Sequence, residues 1–300
     1  MDFKIGDDFD ENGNVKEHKF NKKLAIIIVV VCSIIIGLTV FFISYAILGG
    51  NKKDDDINVD KQLAITDENV QILYKYVSYR DNGYGNDLFL KENSVTSSTF
   101  TDQDKLYYAL QFLQPEELIY SGEKNDKKQK IYNLSISKIR GYLQSFFGTD
   151  VAFSPINKFT YKFTFTINDL GVATLTYSEE EQVYKVVFAK EEEDTNEELV
   201  KPYYTELTSA TKKADGTILI NEKVIYTTSS KDNTNYIVNV YKDYQHTTLI
   251  EARQNITEDD LKENPLSIDK YLERAATITY TFKVSSLNNN YYFDNSKIEY

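Results

Sequence analysis

From Leu24 to Leu48 the chain reads LAIIIVVVCSIIIGLTVFFISYAIL, 25 residues without a charged side chain. At 1.5 Å rise per residue a helix over this run extends about 37 Å, enough to cross a hydrocarbon core ~30 Å thick with some tilt. A cleaved signal peptide carries a shorter apolar region of roughly 7–15 residues, and a buried soluble helix would show a polar stripe. The pattern therefore predicts a single N-terminal transmembrane helix. Lys16, Lys19, Lys22 and Lys23 precede it; Lys52, Lys53 and Lys61 follow, interleaved with Asp54, Asp55 and Asp56. Lys and Arg near the span ends set orientation. The expectation is a signal anchor: a cytosolic tail over 1–23, the span at 24–48, a polar tether over 49–65 and everything beyond it extracytoplasmic.

After the tether the apolar period is helical. Thr66 is placed to cap a segment with Asp67 and Glu68 in its first turn and Val70, Leu73, Tyr74 and Val77 on one face. Turn formers follow, Asp81-Asn82-Gly83 among them. Thr101 and Asp104 have capping-box spacing ahead of Leu106, Ala109, Leu110 and Leu113, with Pro115 closing the stripe. A third helix starts near Ser135, with Ile136, Ile139, Leu143 and Phe146 sharing a face and Gly148 at its stop.

The period then drops to two. In KFTYKFTFTI, Phe159, Tyr161, Phe163, Phe165 and Ile167 point one way, and Thr160, Lys162, Thr164 and Thr166 the other. VATLTYS and VYKVVFA complete a meander. KEEEDTNEELVKP (190–202) breaks the pattern and reads as an interdomain linker. Beyond it come YYTELTSATK, a turn at Asp215-Gly216, TILINEKVIYTT, YIVNVYKDY and TTLIEARQ. Thr257 and Asp260 start a helical turn that Pro265 interrupts. TITYTFKV follows with Ile278, Tyr280, Phe282 and Val284 inward, and YYFDNSKIEY closes the sheet. The fold class is α+β: helices, then curved antiparallel sheet, in an α+β module over 66–195 and a mainly-β module over 196–300. The alternating strands 159–167 and 277–284, each following a helical stretch, hint that the modules are related.

Composition narrows the function. Acidic residues outnumber basic ones 46 to 34, a formal charge of −12, which excludes a nucleic-acid partner because duplex affinity needs phosphate neutralisation. The one cysteine, Cys32, lies inside the span. A large ectodomain without disulfides points to a bacterial surface rather than an animal one. The surplus of Tyr (24) and Phe (17) without Trp alternates inward on the strands and reads as core. Tyr84, Tyr291 and Tyr292 are the exceptions worth testing as exposed binding rings.

Catalytic chemistry is thin. Of two histidines, His18 is cytosolic and His246 sits in Asp243-Tyr244-Gln245-His246, a turn, with no nucleophile elbow to serve. No His/Cys pattern for zinc occurs. Asp8–Gly13 matches the first half of an EF-hand loop, yet Lys19 stands where its bidentate Glu belongs. Runs Asp54–Asp56 and Glu191–Asp194 read as solvated charge. The residues thus name no catalytic, cofactor or metal site. Partners are the membrane, other envelope proteins and, through the Ser33-xxx-Gly37 small-residue pattern, a second copy. The reading is a membrane-anchored extracytoplasmic protein, not an enzyme, with a binding or assembly role. The alternatives are a scaffold subunit of an envelope conjugation or secretion machine and, third, a wall-polymer hydrolase working through carboxylates.

Overall fold

The computed structural model describes residues 59–78, 87–149, 151–190, 199–232, 235–285 and 289–300. The apolar run 24–48, with Ser33 and Gly37, lies outside them. Among the described residues no helix is long and apolar enough to cross a membrane.

Helix α1 (Glu68–Ser78) buries Val70, Leu73 and Val77. Its cap is Asp67 rather than Thr66: the Asp67 carboxylate accepts from the Asn69 amide at 2.9 Å. A carboxylate answers the free amides and also suits the positive end of the helix dipole. A single turn, α2 (Leu88–Lys91), buries Phe89 and Leu90. Helix α3 (Asp102–Leu110) opens on the expected Thr101–Asp104 capping box, and Tyr107 and Tyr108 are buried along with its aliphatic stripe. Pro115 does not merely close that stripe; it opens a 3-10 turn, Pro115–Glu117. Helix α4 (Ile136–Phe147) is capped by Ser135 and ends at Gly148, whose φ is 70°. The short α5 (Glu258–Glu263) carries the second capping box, Thr257 with Asp260.

The strands are β1 (Lys61–Leu63), β2 (Ser94–Thr96), β3 (Ile119–Lys124), β4 (Lys130–Ser135), β5 (Lys158–Ile167), β6 (Leu170–Ser178), β7 (Val183–Ala189), β8 (Tyr203–Lys212), β9 (Ile218–Asp232), β10 (Asn235–Tyr241), β11 (Leu249–Thr257), β12 (Ala276–Val284) and β13 (Tyr291–Glu299). Five form one sheet in the order β3-β4-β7-β6-β5. Eight form the other: β1-β8-β9-β12-β13-β2, with β10 and β11 continuing from β9. All pairings are antiparallel. The fold is a sheet-rich α+β arrangement, and residues Asp56–Tyr300 make up one unit that contains both sheets.

Four features depart from the pattern reading. Residues 61–63 of the expected tether are strand β1, paired with β8. The stretch 119–135, which has no clean alternation, is the β3–β4 hairpin, with Gly122 at φ 86° breaking its ladder. Strand β13 is not the sheet's edge, because β2 pairs with it from outside. Val284, expected inward, is 40% exposed at the end of β12, beyond the bulge that shifts register between Thr281 and Phe282.

Strand β9 has 15 residues and organises the larger sheet. Its first half pairs with β12 and its second half with β10. Val224, Ile225 and Tyr226 are consecutively buried, because a small second core around Val238, Val240, Leu261 and Tyr271 covers the other face. The main core is aromatic. Phe146 of α4 stacks on Phe293 of β13 at 5.0 Å with a 6° interplanar angle, and Tyr107 of α3 stacks on Tyr161 of β5 at 5.7 Å. Helices α3 and α4 thus contribute rings to the packing of both sheets. Leu199 and Val200, at the end of the expected linker, pack into the second core.

Candidate functional site

His246 lies where the sequence placed it, exposed in a turn, with φ 58°. Its ring sits 4.8 Å from that of Tyr241. Asp243, 5% exposed, is spent on the turn: its carboxylate accepts from the Thr247 amide at 2.9 Å and the Thr248 amide at 2.6 Å. Burial works against its ionisation, but these bonds outweigh burial and hold the carboxyl below the usual range. Asp243 and His246 are therefore joined in one hydrogen-bonded turn, in which the His246 amide donates to the Asp243 carbonyl at 3.1 Å. Tyr291 and Tyr292 are half-buried rather than free; a Cβ at Gly148 would come within 2.5 Å of the Tyr292 ring. Tyr84, His18, Cys32, Asp8–Gly13, Lys19 and both carboxylate runs lie outside the described residues. Among the described residues no group of three or more His, Cys, Asp or Glu is disposed around a metal position.

One concavity joins aromatic residues that the sequence did not associate. Helices α1, α3 and α4 leave between them a cavity of about 200 Å³, lined by Tyr76, Tyr108, Phe112, Tyr142, Ser145 and Phe146. Tyr108 and Phe146 stack at 4.0 Å, Phe112 stands 5.1 Å from Tyr108, and Tyr76 meets Phe112 edge-on at 5.3 Å. The only advance sign was spacing. Tyr108 with Phe112, and Tyr142 with Phe146, are i,i+4 pairs, which share a helix face.

One side of the cavity is polar. The Tyr142 hydroxyl donates to the Glu117 carboxylate in a short hydrogen bond and approaches the Phe112 carbonyl at 3.2 Å. Glu117 also takes the Lys138 ammonium at 2.8 Å and the Gln114 amide at 2.9 Å. Burial pushes the Glu117 carboxyl up, but the three donors prevail and it titrates below its ordinary value. Tyr142 moves the opposite way: burial first, then the neighbouring carboxylate, raise its phenol well above the usual range. Glu117 is ionised and Tyr142 protonated across the physiological range.

A second buried carboxylate is structural. Glu222 on β9 is fully buried and accepts from Tyr74 of α1 and Tyr280 of β12, both at 2.6 Å. It ties the first helix to the centre of the larger sheet. A wider polar depression of about 490 Å³ at the start of α4 includes Ser135, Ser137, Arg140 and Gln182; Ser135 there is engaged as the helix cap. No family model, curated protein or solved structure matches the chain.

Proposed function

We propose that the chain is a single-pass, membrane-anchored extracytoplasmic protein of a bacterial surface with a non-catalytic binding or assembly role. The observation that carries this reading is the charge-free run Leu24–Leu48, followed from residue 59 by a densely packed α+β unit. Lys16, Lys19, Lys22 and Lys23 favour a cytosolic tail. Among the described residues the buried acidic groups Asp243 and Glu222 are both engaged by hydrogen-bond donors, Asp243 within its own turn and Glu222 by Tyr74 and Tyr280, which supports a structural part for them.

External protease on intact cells tests the topology. It should remove the region beyond Lys53 and spare a tag on residues 1–23; a protected tag placed after Lys53 would overturn the orientation. Cross-linking followed by purification of the full-length protein from its own membrane tests the role. A stoichiometric set of envelope proteins would identify an assembly subunit, whereas recovery alone would favour small-ligand binding. Hydrolysis of wall fragments by the purified protein would overturn the non-catalytic reading.

A further inference from the structure

We propose that the aromatic cavity between α1, α3 and α4 is a binding site for a small quaternary ammonium group. This goes beyond the anchoring reading and does not depend on it. Five of the six lining residues are Tyr or Phe. Aromatic faces are electron-rich and attract a cation most strongly when the cation is weakly hydrated. A trimethylammonium head makes no hydrogen bonds, so it leaves no donor unsatisfied against ring walls. The polar groups on the Tyr142 side reinforce the sign: the Phe112 carbonyl is an acceptor, and the ionised Glu117 stands one hydrogen bond behind the Tyr142 ring. Among the described residues, Lys138 is the cation beside them; its side chain is 54% exposed and paired to Glu117. None of the described lining residues is Lys, Arg or His, so among them an anion finds no partner. At about 200 Å³ the space falls below the 300–1,000 Å³ typical of drug-sized ligands and suits a single compact head group.

The test uses the full-length chain in a detergent without ammonium head groups, titrated with choline and with its uncharged carbon isostere, 3,3-dimethylbutan-1-ol, while tyrosine fluorescence and heat are recorded. Choline should bind saturably and roughly tenfold more tightly than the isostere, the ratio expected of a cation over desolvated rings. Ser145 is exposed on α4 at the cavity wall, so Ser145→Phe should fill the space and abolish the response with the melting midpoint retained. Where that variant fails to fold, Phe112→Leu should weaken choline severalfold and leave the isostere unchanged. Equal affinity for the two ligands, no saturable response, or full choline binding by a folded Ser145→Phe protein would each overturn the proposal. The same head group occurs on free solutes and on phosphatidylcholine. Preference for phosphatidylcholine over phosphatidylglycerol vesicles, absent in Ser145→Phe, would identify the lipid as source; choline binding without that preference would identify a free solute.

Discussion

Glu117 shows how one side chain converts local donors into stability. Its carboxyl is held below 4.5 by Lys138, Tyr142 and the Gln114 amide against the cost of burial. A group whose pKa falls on folding contributes stability above its unfolded value, and that contribution is lost as pH drops through the folded value. Glu117→Gln should therefore cost roughly 1–3 kcal/mol at pH 7, and the loss should shrink below pH 4.5 as the native carboxylate protonates. Denaturant midpoints across pH 3–7 check this, and a constant difference at every pH would contradict it. Gly148 makes the second residue-scale prediction. Its φ of 70° and the 2.5 Å approach to Tyr292 leave no room for a methyl group, so Gly148→Ala should destabilise by more than the ~1 kcal/mol of a left-handed alanine alone. Its role as a helix stop was legible from position and residue type. The Tyr292 contact was not, because it joins residues whose proximity only the tertiary fold creates.

At the scale of elements, legibility followed the range of the signal. Capping boxes and period-two strands are local, so α3, α4 and β5 were readable from their own residues. The β3–β4 hairpin escaped because its charged turn and the Gly122 bulge interrupt alternation, and β1 and β2 escaped because three residues carry no period. The burial of both faces at Val224–Tyr226 comes from elements far along the chain. For the cavity, i,i+4 spacing marked two aromatic pairs, but bringing Tyr76 and Glu117 to them is the work of the fold. The alternation on β5 is directly testable. Phe163 is 4% exposed and Thr164 is exposed, so Phe163→Ala should cost about 3–5 kcal/mol and Thr164→Ala less than half of that. A costlier Thr164 would mean that the outer face of the five-stranded sheet is covered.

For the whole molecule, residues 51–300 contain no cysteine, so no disulfide within them contributes to stability. The melting midpoint should be the same with and without reductant, and a shift would point to a covalent link through Cys32. The sheet topology adds a condition on timing. Strand β1 waits for Ala210–Lys212, and β2 waits for Asn295–Lys297. A ribosome delivers the N-terminal partners first, so the earliest strands of the unit to emerge are among the last to find their neighbours. Contacts this distant in sequence slow folding, because the intervening loop must be ordered before they form. During synthesis the chain therefore carries two unsatisfied short strands beside whatever holds its leading end, and a product halted before residue 291 has nothing to seat β2. Seating β2 against β13 is therefore a late event, possible only once about two hundred residues beyond β2 have been made.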